Sequence, residues 1–196
     1  TNGEPVTEAY GTSFVMPGTY YISMHRSTNG SLETLVDKHE FKVNHLYNYE
    51  GIDIAFNQGV DALNGRMNKV MAEFNELNEE LGQLRAGLRN TPGASMEDLS
   101  TARSLDVQLK EVGVLLEGDA TRSKREYETA PSAQDAVGLL AWGAFNHRGA
   151  PTGTMKQLKE DAEAMLADAE KALTEIDEAM DALEAKAVEQ GVPFWD

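Results

Sequence analysis

"IDIAFNQGVDALNGRMNKVMAEFNELNEELGQLRAGLR", residues 52–89, places Ile52, Phe56, Val60, Leu63, Met67, Val70, Phe74, Leu77, Leu81, Leu84 and Leu88 at steps of four, then alternately three and four. Apolar side chains at that beat line one stripe of an α-helix and form a heptad seam. The stretch predicts a helix ~55 Å long that must bury its seam against other helices. Gly59, Gly65, Gly82 and Gly87 lie off the main seam, and each weakens the helix by ~1 kcal/mol relative to alanine.

The far end of the chain repeats the logic. Met155, Leu158, Ala162, Met165, Ala169, Leu173, Ile176, Met180, Leu183 and Ala187 keep the same beat, with Thr154 as the expected N-cap and Gly191 followed by Pro193 as the stop. Alanines in this seam permit close helix approach. Between the two long segments, "NTPGAS" breaks the chain and Ser95 caps a helix whose face is Leu99, Ala102, Leu105, Leu109, Val112 and Leu116. Residues 118–131 are polar and read as a loop. Ser132 with Asp135 opens a shorter helix carrying Val137, Leu140, Ala141, Ala144 and Phe145. These elements predict an elongated antiparallel bundle of about four helices, with 52–89 and 154–190 the longest and packed antiparallel. Residues 56–81 of the first seam are expected to be buried, and Phe194 and Trp195 to fold back as a plug on the bundle or the sheet.

Upstream of the helices the period is two. Tyr20, Ile22 and Met24 alternate with Tyr21, Ser23 and His25 after the Pro17-Gly18 turn signal. Asn29-Gly30 is suited to a tight hairpin turn, and Val36, Phe41 and Val43 mark a second strand. Strands are expected at about 19–26 and 35–44, with a weaker one at 12–16. The chain is thus mainly α with a small antiparallel β part. It divides into a partial β module at 1–48 and a helical bundle at 49–196. Two or three strands with one apolar face are marginal in water unless covered. The cover is expected from upstream strands of a longer chain or from the helices; a self-contained hairpin decorating the bundle is the alternative.

Composition narrows the function. Thirty-three acidic residues against seventeen basic ones give a net charge of −16. That field opposes nucleic-acid and anionic-membrane binding. No apolar run is long enough to span a membrane. The absence of cysteine excludes disulfides, thiol catalysis and thiolate metal sites. "TNGEPVTEAYG" at the start has no initiator Met and no signal-peptide pattern, so a removed leader or a longer parent chain is expected.

A search for chemistry returns little. His25, His39, His45 and His147 are the histidines; His39 and His45 lie near Asp37 and Glu40, but lone histidines near a strand end read as surface residues. Glu79-Glu80 and the acidic series Glu160, Asp161, Glu163, Asp168, Glu170, Glu175, Asp177, Glu178 and Asp181 read as the solvated face of amphipathic helices. Acid–base catalysis would need carboxylates in unequal, enclosed environments. No di-iron Glu-x-x-His spacing, nucleophile elbow or phosphate-cradling glycine loop occurs. Trp142 and Phe145 read as core. No catalytic, cofactor-binding or metal-binding residue is assigned, and no cofactor is expected.

The order "V-x-PGTY-x-I" at Val15–Ile22, a hairpin, long helices and a closing "GVPFW" at 191–195 resembles the C-terminal end of secreted bacterial sortilin-like, BNR-repeat (sialidase-type) β-propeller proteins, often labelled glycosyl hydrolases. In that family an immunoglobulin- or fibronectin-like module precedes a helical tail. The resemblance implies a chain that begins partway through such a module, in a periplasmic or extracellular setting. It implies a non-catalytic accessory or protein-interaction role, with upstream domains of the parent or another protein as partner. No propeller repeat or Asp-box is present to carry a hydrolase activity. An exposed β edge adds a homodimer to the expected partners. The alternative is a stand-alone cell-envelope binding or scaffold protein that uses the groove of its bundle.

Overall fold

The computed structural model describes residues 17–44, 51–147 and 149–192. In chain order the elements are strands β1 (Gly18–Thr28) and β2 (Ser31–Val43), then helices α1 (Ile54–Asn90), α2 (Met96–Glu117), the one-turn α3 (Ala120–Ser123), α4 (Ala133–Asn146) and α5 (Gly153–Glu189). The architecture is a helical bundle with a two-stranded antiparallel hairpin, as the periodicities predict. The weak strand expected at 12–16 and the plug expected from Phe194 and Trp195 lie outside the described residues.

The seam holds α1 together through its glycines. Val60, Leu63, Met67, Val70, Phe74, Leu77, Leu81, Leu84 and Leu88 are all buried, and the helix runs unbroken for 37 residues from its Asp53 cap. Packing therefore outweighs the local cost of the glycines. Phe56, expected in the core, sits only partly buried at its edge.

The two long helices run in the same direction, which corrects the antiparallel expectation. Arg66 meets Glu170, Glu73 feels Asp177, and Glu80 feels Glu184. The partner number rises in step with the α1 number, by 104 each time, whereas antiparallel neighbours would keep a constant sum. The reason is in the return path. Arg85 of α1 pairs with Asp106 of α2, and the Phe74 ring lies against Gly113, so α2 runs back along α1. It is only ~33 Å long, little more than half of α1. Its end, Gly118, lies beside Ser132, where a Cβ on the glycine would stand 3.7 Å from the Ser132 Cβ. From that point α4 continues the return, and its far end comes up to α5, with Gly143 beside Met155. Two short helices in series thus make one antiparallel rod against two parallel long ones, and residues 119–131 are ejected sideways with their ends together. This segment, expected as a plain loop, includes the turn of α3 and is exposed from Ala120 to Pro131.

The caps follow the sequence with one shift. Ser95 accepts a hydrogen bond from the Asp98 amide at 3.0 Å, and Ser132 forms a capping box with Asp135. The α5 cap is Thr152, not Thr154; its hydroxyl accepts from the Met155 amide at 3.2 Å. In α5 Leu166 is buried where Met165 was expected, and in α2 Leu99 is only partly buried. Asp98 ties the α2 start to the α5 end: it accepts from Ser95 Oγ at 2.5 Å and from Gln190 Nε2 at 2.7 Å. Those hydrogen bonds, Ser95 first, hold its carboxyl below the usual range.

Candidate functional site

Both hairpin strands are longer than expected, and the turn is the one the sequence calls for. Asn29 and Gly30 take φ of 52° and 80°, the left-handed pair of a two-residue hairpin turn. Cross-strand pairs Tyr20–Phe41, Ile22–His39 and Met24–Val36 share one face, and the Tyr20 and Phe41 rings stack at 5.9 Å between centroids. Two register shifts, either side of Met24, let β2 carry extra residues against β1 and twist the ribbon. The opposite face is polar. There Tyr21 Oη donates to Glu40 at 3.3 Å, Lys38 Nζ lies 5.7 Å from the Tyr21 ring, and His25 bonds Thr34 and Ser23.

Nothing among the described residues covers the apolar face. Ile22 and Met24 are each 58% exposed, with Val36 and Phe41 also open. The helices, offered as cover by the sequence reading, do not supply it. Arg26, Lys38 and Lys42 balance Glu33, Asp37 and Glu40, so residues 17–44 carry no net charge in a chain of −16.

A second surface lies between α1 and α2, and no described α5 residue lines it. It is an open groove of about 710 Å³. Arg85 and Arg89, one turn apart on α1, face Arg103 and Lys110 of α2 across it. Asp106 binds two of these cations, accepting from Arg85 at 2.5 Å and from Lys110 at 2.7 Å, and the pairing holds its carboxyl below the usual range. Arg89 and Arg103 have no carboxylate or hydrogen-bond partner among the described residues. The groove's apolar lining comes from Met96, Leu99 and Val107. Sequence reasoning missed this site. The available signal was an arginine pair at i, i+4 on one helix and a second basic pair one heptad apart on the next.

Several of the carboxylates, Glu73, Glu80, Glu170, Asp177 and Glu184 among them, lie on a third surface along the α1–α5 seam. One rung is an ion pair: Arg66 grips Glu170 through two bonds of 2.6 Å. The next two rungs set Glu73 near Asp177 and Glu80 near Glu184, like charge facing like charge. Partial burial comes first in pushing the Glu73, Glu80 and Glu184 carboxyls above the usual glutamate value. Nearby acids add to it, Asp177 foremost at Glu73, Glu76 and then Glu184 at Glu80, and Asp181 and Asp177 at Glu184. Glu73, Glu76 and Glu80 remain exposed, as a solvated face requires. No enclosed pair with unequal environments forms here, and among the described residues no three acidic or histidine side chains gather where a metal ion could be held.

His39 pairs in register with Ile22, and His147 follows α4, its Nε2 2.8 Å from the Ala150 carbonyl. His45 lies outside the described residues. Trp142, expected in the core, is 67% exposed and stacks at 6.5 Å on Phe145, which is itself exposed. The inner face of α4 is made of Ala133, Ala136, Val137 and Leu140. Close approach to α1 and α5 needs those small side chains, so the aromatics turn outward. No described helix is long and apolar enough to cross a membrane. Comparison with known proteins finds no family model, no curated protein and no solved structure that matches the chain.

Proposed function

We propose that the chain is a non-catalytic protein-interaction module of a secreted or cell-envelope protein, with the bundle as stalk and the hairpin as the element that joins another polypeptide. One observation carries the reading. Among the described residues, the bundle buries a continuous core of its own, while the hairpin leaves an apolar face, two strand edges and a neutral surface open. A two-stranded sheet with such a face gains stability when further strands or a second sheet meet it. The likeness of the Pro-Gly-Thr-Tyr strand and the Gly-Val-Pro-Phe-Trp tail to the end of BNR-repeat propeller proteins supports upstream strands of such a parent as the natural cover. Where those strands are missing, a second copy of the hairpin takes their place.

Sedimentation velocity over a rising concentration series tests this. The chain is expected to move from monomer to dimer. Ile22→Lys is expected to hold it monomeric with an unchanged helical circular-dichroism signal. A chain that stays monomeric throughout, or a dimer indifferent to Ile22→Lys, overturns the proposal.

A further inference from the structure

We propose that the groove between α1 and α2 is a binding site for a small amphipathic anion, a carboxylate, sulfonate or phosphate group on a flat apolar body. The first argument is charge. A chain with nearly twice as many acids as bases has carboxylates to spare. Three of its cations use them: Arg66 takes Glu170, Lys159 takes Glu163, and Arg26 takes Glu33. Arg89 and Arg103 converge on one groove without any among the described residues. Among the described residues, the one carboxylate in the lining, Asp106, is already shared between Arg85 and Lys110. Four cations against one anion leave the groove with a charge of +3. Two arginines across a cleft provide planar, paired N–H donors, the geometry that binds a carboxylate, sulfonate or phosphate through two oxygens.

The second argument is the lining and the size. Met96 is 80% exposed and Val107 half exposed, and with Leu99 they present apolar surface beside the cations. An anion that is only charged would leave that surface wet; an apolar body attached to the anion would cover it. The volume of about 710 Å³ lies within the range of small-molecule sites. The third argument selects against large partners. The −16 charge repels polyanions at long range, so nucleic acid and anionic membranes are disfavoured while a small anion carrying one or two charges is not. The field of the remaining acids weakens the site, and screening by salt opposes both effects, so modest affinity is expected.

Two fluorescent probes of nearly equal shape separate this site from the other apolar surfaces. 1-Anilinonaphthalene-8-sulfonate carries the anion; N-phenyl-1-naphthylamine lacks it. The full chain is expected to bind the sulfonate more tightly than the neutral probe. Arg89→Gln with Arg103→Gln is expected to weaken sulfonate binding about tenfold and to erase the preference. Both arginines are exposed, so the fold is expected to survive, as helical circular dichroism will check. Arg103→Lys, which keeps the charge and loses the fork, should fall between. Ile22→Lys, which spoils the hairpin face, should leave the preference intact. Equal affinity for the two probes, or sulfonate binding that the double variant does not change, overturns the proposal. Neither result bears on hairpin dimerisation, so the two proposals fail separately.

Discussion

The hairpin and the bundle answer the same problem, hiding apolar side chains, in opposite ways. In the bundle, three rods enclose one seam, and Leu116, Leu140, Leu166 and Leu173 lose all contact with water. In the hairpin, alternation gathers Ile22, Met24, Val36 and Phe41 on one side, and no other described residue covers them. The charge follows the same division: the hairpin's three acids are balanced by three bases, and the net charge of −16 arises elsewhere in the chain. A surface that is apolar, neutral and edged by strands with no further partner among the described residues invites association; one that is closed and strongly negative resists it. The contrast is the basis for placing interaction in the hairpin and support in the bundle.

The largest expected effect breaks that contrast if it is wrong. Leu173→Ala removes a fully buried side chain from the centre of α5 and is expected to cost about 2–5 kcal/mol in chemical denaturation. Ile22→Ala trims an exposed side chain on a face that no other described residue covers, and in the dilute monomer it should change stability by no more than about 0.5 kcal/mol. Similar losses at the two sites would mean that the hairpin face is covered by its own chain.

The bundle was far more legible in the sequence than its handedness of travel. Helix limits, the α1 seam, the Ser95 and Ser132 caps and the Asn-Gly turn all follow from local rules: period, cap chemistry and positive φ. The parallel course of α1 and α5 does not. It depends on whether α2 and α4 make two antiparallel rods or one, and a seam of apolar residues looks the same in either case. Alanine at 133 and 136 was a usable hint, because small residues mark the tight side of α4 and so send Trp142 outward. The groove was hidden for a related reason. Arg89 and Arg103 are ordinary in sequence and become a site only once α2 folds back on α1 and leaves them facing each other with no carboxylate partner among the described residues.

Glycines sharpen the comparison within the bundle at a smaller scale. Gly113 is where the Phe74 ring enters, and a Cβ there would come within 3.0 Å of it. Gly113→Leu is expected to cost about 1–3 kcal/mol by overpacking. Gly82, on the same bundle, has open space around its Cβ position. Gly82→Ala should therefore stabilise by up to ~1 kcal/mol, because alanine loses less entropy in a helix. Opposite signs at two helical glycines, read in melting temperature, would show that contact rather than propensity decides each. The same sign at both would put Phe74 elsewhere.

The smallest effect expected is on the acidic seam, and it distinguishes the bundle's exterior from the neutral hairpin. Glu73, Glu80 and Glu184 have carboxyls raised above the ordinary value of 4.5 by partial burial and then by neighbouring acids. The folded state therefore binds protons at these sites more tightly than the unfolded chain does. Their contribution is a penalty at neutral pH that is relieved as pH falls through the raised values toward 4.5. Asp98, Asp106, Asp119 and Glu170 act in the other direction: hydrogen bonds and paired cations hold their carboxyls low, and the stability they give is lost only as pH falls below the ordinary range. The melting temperature should rise as pH drops from neutral into the upper carboxylate range, pass through a maximum, and fall with further acid. Added salt at neutral pH should reproduce part of the rise, since these carboxylates are exposed enough to be screened. Glu80→Gln removes one rung of the repulsion, so this variant should melt higher at neutral pH and show a flatter approach to the maximum. A melting temperature that declines steadily from neutral pH downward would mean that the low-lying carboxylates dominate throughout. The parallel seam would then carry no strain of like charges.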